Sequence, residues 1–349
     1  MTTSRSGPKL AKIAETIGVS TATVSNALSG KGRVSDELAA RIRRKADELG
    51  YVASSAGRAL RTGRSGVIGL VLPDIANPLF PQIAQAIEHA ATQAGYGVLI
   101  GDSRGEIGMQ TEAIGRLVER GVDGMVVVPR RGTRVIDIDC PVAVIDTPST
   151  PGNTVSADHF GGGELVARHL AALGHRRVLL VGANRESNVQ NDRLAGMRSV
   201  SELRTETLWL DERWYEAGQG GTLSLAEKMR EGFTAIATVS DMQALRALTE
   251  LQRNGWRIPE DVSVTGFDDL PWTSIITPSL TSVRMDMARI AGIAIEVLCA
   301  AILDPAKIDQ TDRKTLRAPI QTVAMTLVER NSTAPPPIRD ETAFKGELA

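Results

Sequence analysis

Residues 10–28 (LAKIAETIGVSTATVSNAL) constrain the fold most, because their pattern is typical of two short helices joined by a tight turn. Ile13 and Ile17 fall at helical spacing and contribute to one apolar face. Gly18 follows, and a glycine there can take the left-handed conformation that ends a helix. Ser20 stands where the next helix needs an N-cap hydroxyl. The stretch therefore predicts a helix-turn-helix.

The second helix of this pair, from Thr21 to about Leu28, has two unlike faces. A packed helix-turn-helix that presents small side chains outward is suited to entering the DNA major groove. On these residues alone, an ordinary helical hairpin is the alternative. The inward face carries Val24, Ala27 and Leu28, and the outward face carries Thr21, Ala22, Ser25 and Asn26.

Charge is divided unevenly along the chain. Residues 1–64 hold 12 Lys and Arg and 5 Asp and Glu, a net charge of +7. The rest of the chain holds 28 basic and 36 acidic residues, a net charge of −8. A basic head on an acidic body indicates a polyanionic partner for the head alone.

A third helix is predicted from about Asp36 to Leu49, with Ser35 as its N-cap. The next segment, residues 51–66 (YVASSAGRALRTGRSG), has few side chains able to build a core. It is expected to be a linker with one short helix around residues 54–60, which is too short to be stable alone. We therefore assign residues 1–50 to a DNA-binding domain and residues 51–65 to a hinge.

A series of motifs follows in a fixed order through almost the whole chain. It comprises VSTATVSNALSGKGRVS, ELGYVASSAGRAL, GVIGLVLPDIANPLF, ERGVDGMVVVP, LAALGHRRVLLVG, NDRLAGMR, VTGFDDL, PSLTSVRMD and ERNSTAPP. Each motif is weak alone, but their joint order and spacing resemble the lactose- and galactose-repressor family of bacterial transcription regulators. The resemblance covers about residues 8–336.

Strand and helix signals alternate from residue 66 onward. Residues 67–72 are apolar almost throughout, as in a strand buried on both faces, and a helix is predicted at residues 192–202. Alternating strands and helices predict an α/β fold of parallel sheets covered by helices. Because this body is long for one core, two lobes are expected.

The resemblance implies that the body, residues 66–334, has the two-lobed fold of a periplasmic sugar-binding protein. The chain is then expected to cross between lobes near Asp158, Arg284 and Arg317. The first lobe would comprise residues 66–158 and 285–316, and the second lobe residues 159–284 and 317–334. Residues 335–349 would form a flexible tail.

Ligands of parallel α/β sheets bind beyond the carboxyl ends of the strands. In this chain, those positions carry carboxylates, amides, an arginine and aromatic rings, which suit the hydroxyls and apolar ring faces of a sugar. The resemblance places Asp74, Phe80, Arg193 and Asp268 in an effector cleft, with Asp158 close to it. The strand-end positions add Asn77, Asp241 and Trp272 as candidate effector contacts.

The resemblance also assigns DNA contacts. It places Thr21, Ala22 and Asn26 against base edges, where an Asn side chain can bond adenine in two places. It places the phosphate contacts at Ser20, Thr23, Ser25 and Arg33. In the hinge it places Leu60 in the minor groove at a kinked base step, with Arg58 beside it.

The sequence contains one pattern that resembles a catalytic motif. Gly101-Asp102-Ser103-Arg104-Gly105 matches the G-x-S-x-G pattern of hydrolases, but no later histidine suits a triad. The sequence has neither a Walker A motif nor H-E-x-x-H, and the isolated Cys140 and Cys299 are expected to be reduced thiols. We therefore predict no enzyme activity, no cofactor and no metal.

The sequence thus predicts a repressor that binds a palindromic DNA operator as a homodimer and responds to a small molecule, with a sugar favoured over a purine or another metabolite. No signal peptide or run of 18 apolar residues is present, so a cytoplasmic protein without a membrane segment is expected. A solute-binding protein is the alternative class, but it would carry a signal peptide and no basic head. A chromosome-architectural protein would explain the head alone.

Overall fold

The computed structural model describes residues 10–29, 34–51, 63–130, 138–150, 152–210, 223–304 and 321–338. The chain divides into two compact units, residues 1–65 and 66–349. The predicted hinge helix lies outside the described residues, as do Arg33, Arg58, Leu60 and Arg317. Within the described ranges, no helix is long and apolar enough to cross a membrane.

The described part of the first unit contains three helices, and the bounds of the second and third agree with the predicted ones to within one residue. They are α1 (Leu10–Ile17), α2 (Thr21–Ser29) and α3 (Asp36–Glu48). The Ser20 hydroxyl accepts a hydrogen bond from the Thr23 N–H at 3.1 Å, at the start of α2. The Ser35 hydroxyl accepts one from the Leu38 N–H at 3.4 Å. These two serines satisfy backbone donors that a helix start leaves free.

The core of this unit forms where the three helices meet. Ile13 of α1, Val24 of α2 and Ile42 of α3 are fully buried and belong to one apolar cluster. Burial of each such side chain contributes roughly 1.5–3 kcal/mol. Packing of the three helices on one another therefore fixes the orientation of α2.

The second unit alternates strands and helices, as predicted. Its elements are β1 (Val67–Leu72), α4 (Leu79–Gln93), β2 (Gly97–Asp102), α5 (Ile107–Glu119), β3 (Gly124–Val127), β4 (Val142–Asp146), β5 (Asn153–Ala157), α6 (His159–Ala172), β6 (Arg177–Gly182), α7 (Asn188–Arg198), β7 (Arg204–Trp209), α8 (Leu225–Arg230), β8 (Ala235–Thr238), α9 (Asp241–Arg253), β9 (Ser263–Thr265), a 3-10 turn (Pro271–Ser274), β10 (Ser282–Met285), α10 (Met287–Leu303), β11 (Gln321–Val323) and β12 (Met325–Val328).

Two parallel sheets define the lobes of this unit. The first lobe has the strand order β11-β5-β4-β3-β1-β2, with α4, α5 and α10 packed on it. The second lobe has the order β7-β6-β8-β9, with α7 and α9 on its strands and α6 packed on α7. Strands β6 and β8 are almost wholly buried, which explains their near-continuous apolar sequences.

The chain passes between the lobes through three segments. Asp158 lies between β5 of the first sheet and α6 of the second lobe, and β10 leads into α10 of the first lobe. The third segment is β12, which pairs antiparallel with β10. The crossing expected near Arg317 is displaced, because Gln321–Val323 still hydrogen-bonds to β5 in the first sheet.

The helix predicted at residues 192–202 begins and ends earlier, at Asn188 and Arg198. The hydroxyl of Ser187 accepts a hydrogen bond from the Gln190 N–H and caps the start. At the other end, Ser199 bonds back to the Gly196 carbonyl with both its N–H and its hydroxyl. Local serine caps therefore set these bounds rather than apolar spacing.

Candidate functional site

Helix α2 presents the predicted base-reading side chains on the surface of the first unit. Thr21, Ala22 and Asn26 are exposed, whereas Val24 and Ala27 face the core. Because the buried positions fix the helix on α1 and α3, the three exposed residues form one solvent-facing strip. This strip can enter a groove as a rigid element.

Two of the predicted phosphate-contacting residues also organise the turn. The Ser20 and Thr23 hydroxyl oxygens lie 2.8 Å apart, and the Ser20 hydroxyl caps α2. Ser25 is half-buried on α2. On α3, the side chains of Arg41, Arg43 and Arg44 are exposed and contribute positive charge to this unit.

A cavity of about 700 Å³ lies between the two lobes of the second unit. It opens at the carboxyl ends of β1, β3, β4, β6 and β8, the edge that the sequence indicated. Five predicted effector residues line it together: Asp74, Asn77, Phe80, Arg193 and Asp268.

A buried ion pair between Arg193 and Asp268 forms the polar centre of the cavity. The Arg193 Nη1 atom lies 3.0 Å from Asp268 Oδ1 and donates at 2.6 Å to the Val239 carbonyl. The guanidinium also lies 4.2 Å from the centroid of the Phe267 ring. Burial raises the pKa of Asp268 to about 6, although the charge of Arg193 opposes this shift. The guanidinium donates and the carboxylate accepts, so the two groups together can bind hydroxyl groups.

His159 borders the same ion pair as a neutral ring. Burial lowers its pKa well below the usual value, and the neighbouring Arg193 charge lowers it further. The Arg193 Nε–H faces His159 Nδ1 at 3.4 Å, so Nδ1 is the acceptor and Nε2 carries the hydrogen. His159 also lines the cavity.

The loop that holds Asp268 is hydrogen-bonded to β10 and to the segment that follows β12. The Asp268 N–H donates to Val283 of β10 at 2.8 Å. The next residue, Asp269, accepts from Arg284 Nε of β10 and from Arg330 Nη2 beyond β12, each at 2.6 Å. Burial alone would raise the pKa of Asp269, but the hydrogen bonds and charges of these two arginines outweigh it and lower the pKa.

A polar contact spans the cleft from the first lobe to the second. The Thr150 hydroxyl donates to Asp146 Oδ2 at 2.5 Å and accepts from Asn188 Nδ2 of the second lobe at 3.4 Å. Burial raises the pKa of Asp146 to about 6, and the hydrogen bond from Thr150 opposes the shift. Asp146 and Asn188 both line the cavity.

Three predicted effector residues do not line the cavity. Asp158 caps α6, where its Oδ1 accepts from the Gly161 N–H at 2.9 Å. Asp241 is fully buried and accepts from the Leu270 N–H at 2.7 Å and from the Ser282 hydroxyl at 2.6 Å. Trp272 packs against the core of the second lobe. A position at the end of a strand therefore does not by itself place a residue in the cavity. The direction of the side chain decides whether it lines the cavity.

Several cavity-lining polar residues were missed by sequence reasoning. Arg130 lies three residues after β3 and Asp146 is the last residue of β4, so the strand-end rule could have found them. Asn188 and Gln190 lie in the first turn of α7, whose start was misplaced. Gln243 lies in the first turn of α9, and no sequence pattern pointed to it.

The hydrolase-like pattern has a structural explanation. Ser103 is fully buried, and its hydroxyl donates to the carbonyl oxygens of Leu72 and Pro73, at 3.1 and 2.7 Å. It fixes the turn after β2 and is not an accessible nucleophile.

Comparison with known proteins agrees with both units. Residues 9–54 match the model of bacterial regulatory proteins of the lacI family, and residues 167–333 match a periplasmic binding protein-like domain. The HTH-type transcriptional regulator MalR of Streptomyces coelicolor is 31% identical over 312 residues, covering 84% of this chain and 90% of the relative. The ribose operon repressor of Haemophilus influenzae is 27% identical over 304 residues, covering 84% of this chain and 91% of the relative.

A solved structure shows the same fold over nearly the whole chain. The lac repressor dimer bound to operator and the anti-inducer ONPF superimposes with a TM-score of 0.76 at 24% identity, covering 94% of this chain and all of that one. A LacI family regulator from Enterococcus faecium with bound ribose gives a TM-score of 0.62 at 23% identity, covering 77% of this chain and 99% of that one. The chain therefore belongs to the lacI family of bacterial regulatory proteins, as a DNA-binding transcriptional regulator that a small molecule controls.

Proposed function

We propose that this regulator is a repressor that acts in the cytoplasm, binds a palindromic operator as a homodimer and responds to a sugar-containing effector between its lobes. The observation that carries the sugar assignment is the buried Arg193–Asp268 pair beside Phe80 and Asn77 in one cavity. A paired guanidinium and carboxylate bind vicinal hydroxyls, while the Phe80 ring offers an apolar face to ring C–H groups. The protein acts by binding and needs no catalytic residue, metal or cofactor.

In the first unit, we assign base reading to Thr21, Ala22 and Asn26, and phosphate contacts to Ser20, Thr23, Ser25 and Arg33. Exposure of the first three on a helix fixed by its core supports this assignment. We further assign minor-groove contacts to Arg58 and Leu60 and the role of a hinge to residues 51–65. The net charge of +7 on residues 1–64 supports a nucleic-acid partner for this part of the chain.

Two features support the homodimer. A palindromic operator requires two heads related by a two-fold axis. In the first lobe, β2 is an edge strand of the six-stranded sheet, and its Leu99 and Ile100 are 38% and 54% exposed. An exposed apolar edge strand is a surface that a second copy would cover.

The effector acts by binding the open and closed arrangements of the two lobes with different affinity. The contact from Asp146 through Thr150 to Asn188 joins the lobes and is broken if the cleft opens. In this proposal, residues 66–158 and 285–291 supply one wall of the cavity and residues 159–284 supply the other. The same difference in affinity accounts for an effector that releases the repressor from DNA and for one that makes the repressor bind DNA more tightly.

The decisive experiment maps where the tagged protein binds in its host genome, by chromatin pull-down and sequencing. A single palindromic motif beside genes for sugar uptake or glycoside hydrolysis is the expected result. The affinity for that motif is then measured by fluorescence anisotropy with and without D-ribose, maltose, cellobiose and hypoxanthine. Broad binding without a motif would overturn the repressor assignment, and a response to hypoxanthine alone would overturn the sugar.

A further inference from the structure

The second unit begins at Gly66, and the segments beside β1 bind both backbone polar groups of this residue. The division between the two compact units falls between residues 65 and 66. The Gly66 N–H donates to Asp123 Oδ2 at 2.7 Å, and the Gly66 carbonyl accepts from the Gly97 N–H at 2.9 Å. The Asp123 N–H donates in turn to the Val67 carbonyl at 2.8 Å. The chain is therefore fixed on both sides at the residue where it enters the first lobe.

Of these three hydrogen bonds, only the one from Gly66 to Asp123 uses a side chain. The other two join backbone groups, which any sequence supplies. Gly66 has a φ of +71°, in the left-handed region, so the chain changes direction here and its N–H finds an acceptor in the Asp123 side chain. A bond from an N–H to a carboxylate is also stronger than one to a neutral acceptor. The start of β1 therefore depends on the residue at position 123.

Asp123 itself occupies a rigid place in the first lobe. It lies between α5 and β3, and the preceding Val122 is buried in an apolar cluster of this lobe. The next residue, Gly124, lies against α10, since a Cβ atom there would be 2.9 Å from Ile302 Cδ1. Both neighbours of Asp123 are thus packed in the lobe, and its carboxylate moves only with the lobe.

Helix α10 joins this part of the lobe to the effector cavity. Met287, Ile290 and Ala291 in its first two turns line the cavity, and Ile302 near its end lies against Gly124. The helix has 17 residues and is therefore about 25 Å long. Packed rigid helices are one means by which a displacement at one site reaches another. A shift of the cavity wall with α10 therefore reaches the start of β3, next to Asp123.

We propose that Asp123 is the positioning residue that fixes where the hinge leaves the first lobe, an inference that rests on the hinge role proposed above for residues 51–65. Its carboxylate holds Gly66, the residue that follows the hinge, to the end of the sheet on which α10 packs. A palindromic operator requires two heads at a set spacing, so loss of this bond weakens operator binding. Binding to random DNA depends on the positive charge of the head and does not require that spacing.

Hydrogen exchange of the full-length protein tests the bond itself. Asp123→Ala removes the acceptor, and the Gly66 amide should then exchange at least tenfold faster than in the parent protein. Asp123→Asn keeps a side-chain oxygen that can accept from the same N–H and should retain most of the protection. Mass spectrometry of fragmented peptic peptides resolves this amide. The measurement needs no operator, so failure of the Gly66–Asp123 bond and failure of the repressor assignment are separate results.

Anisotropy titrations test the consequence for DNA binding, with the operator duplex identified by the genomic map and a scrambled duplex. Asp123→Ala should lower operator affinity at least tenfold and change the affinity for the scrambled duplex less than twofold. Asp123→Asn should stay within about threefold of the parent protein on both duplexes. Asp261→Ala is the matched control, because Asp261 is half-buried in the second lobe and accepts from the Arg257 N–H at 2.8 Å. It should leave both affinities unchanged.

Four results would overturn the proposal. Unchanged exchange of the Gly66 amide in Asp123→Ala would show that the carboxylate does not hold this residue. Faster exchange with unchanged operator affinity would show that the bond does not position the hinge. Equal losses on both duplexes would show that Asp123 serves the fold of the lobe. Equal weakening by Asp123→Asn and Asp123→Ala would assign the effect to the charge of Asp123 rather than to its bond with Gly66.

Discussion

Gly163 of α6 lies directly against the backbone carbonyl of Arg193 on α7. A Cβ atom on Gly163 would lie 2.1 Å from that carbonyl oxygen, and one on Gly196 of α7 would lie 1.9 Å from the carbonyl oxygen of Phe160. The two helices therefore cross at backbone distance, with one glycine from each at the contact. This close crossing sets the position of the helix turn that carries the Arg193 side chain.

Gly163→Ala is expected to destabilise the protein by at least about 2 kcal/mol, because the added methyl group forces the two helix backbones apart. Urea unfolding monitored by circular dichroism measures this change. Gly292→Ala on α10 is the control, since a Cβ there meets no atom within 4 Å. That variant should be neutral or slightly stabilising, because alanine favours a helix over glycine. Equal effects of the two substitutions would refute the packing argument.

Arg193→Ala should abolish the effector response and leave operator binding intact. It removes the partner of the buried Asp268 carboxylate and the donor to Val239. Thermal stabilisation by the bound effector and its effect on operator anisotropy are the two readouts, and the expected loss in effector affinity is at least about 100-fold, or roughly 3 kcal/mol. Loss of operator binding as well would show that Arg193 serves the fold rather than the effector.

Asn26→Ala should relax sequence preference at the operator more than it weakens binding to random DNA. A side chain that bonds a base edge contributes about 1–3 kcal/mol of discrimination, whereas phosphate contacts act on all sequences alike. Arg43→Gln, an exposed charge on α3, is the comparison and should weaken specific and random binding equally. Anisotropy titrations on operator and scrambled duplexes separate the two effects. A uniform loss in Asn26→Ala would contradict its base-reading role.

The free energy of unfolding should decrease as the pH falls from about 6.5 to about 4, because His175 takes up a proton more readily in the unfolded protein than in the folded one. Burial lowers the pKa of His175 to about 4, while the hydrogen bond to Ala334 opposes the shift. The ring bonds Thr234 at 2.8 Å and the Ala334 carbonyl at 2.9 Å. On acidification the unfolded state takes up the proton first. The contribution of the neutral His175 ring to stability is therefore complete above the pKa of His175 in the unfolded chain and is lost as the pH falls below it.

The difference between the parent protein and His175→Gln isolates this effect from other groups that titrate in the same range. Urea unfolding at pH 7.5 and pH 4.5 should show a parent protein that loses about 2 kcal/mol more than the variant on acidification. A parallel pH dependence in both proteins would assign the titration to another residue.

Many helices and strands of the first unit and of the two lobes could be predicted, because their local sequence patterns favour the same structure that packing stabilises. The N-cap residues Ser20 and Ser35 predicted the starts of α2 and α3, and the apolar runs predicted the buried strands. Each of these signals is contained within a few consecutive residues. The resemblance to a known family then supplied the arrangement of the two lobes.

The remaining features depend on contacts between distant parts of the chain. Gln321–Val323 joins the first sheet by pairing with β5, which no local pattern indicates. Asp241 satisfies all the strand-end criteria, yet its carboxyl bonds Leu270 and Ser282 rather than facing the cavity. Burial and the charge of Asp268 raise the pKa of Asp241, as is expected for a carboxyl group enclosed by the fold.

The attachment of Asp269 to Arg284 and Arg330 has a mechanical consequence. In the proposed function Asp268 contacts the effector, and its loop is bonded through Asp269 to β10 and to Arg330 beyond β12, so ligand contact and lobe rotation would act on the same short stretch of backbone.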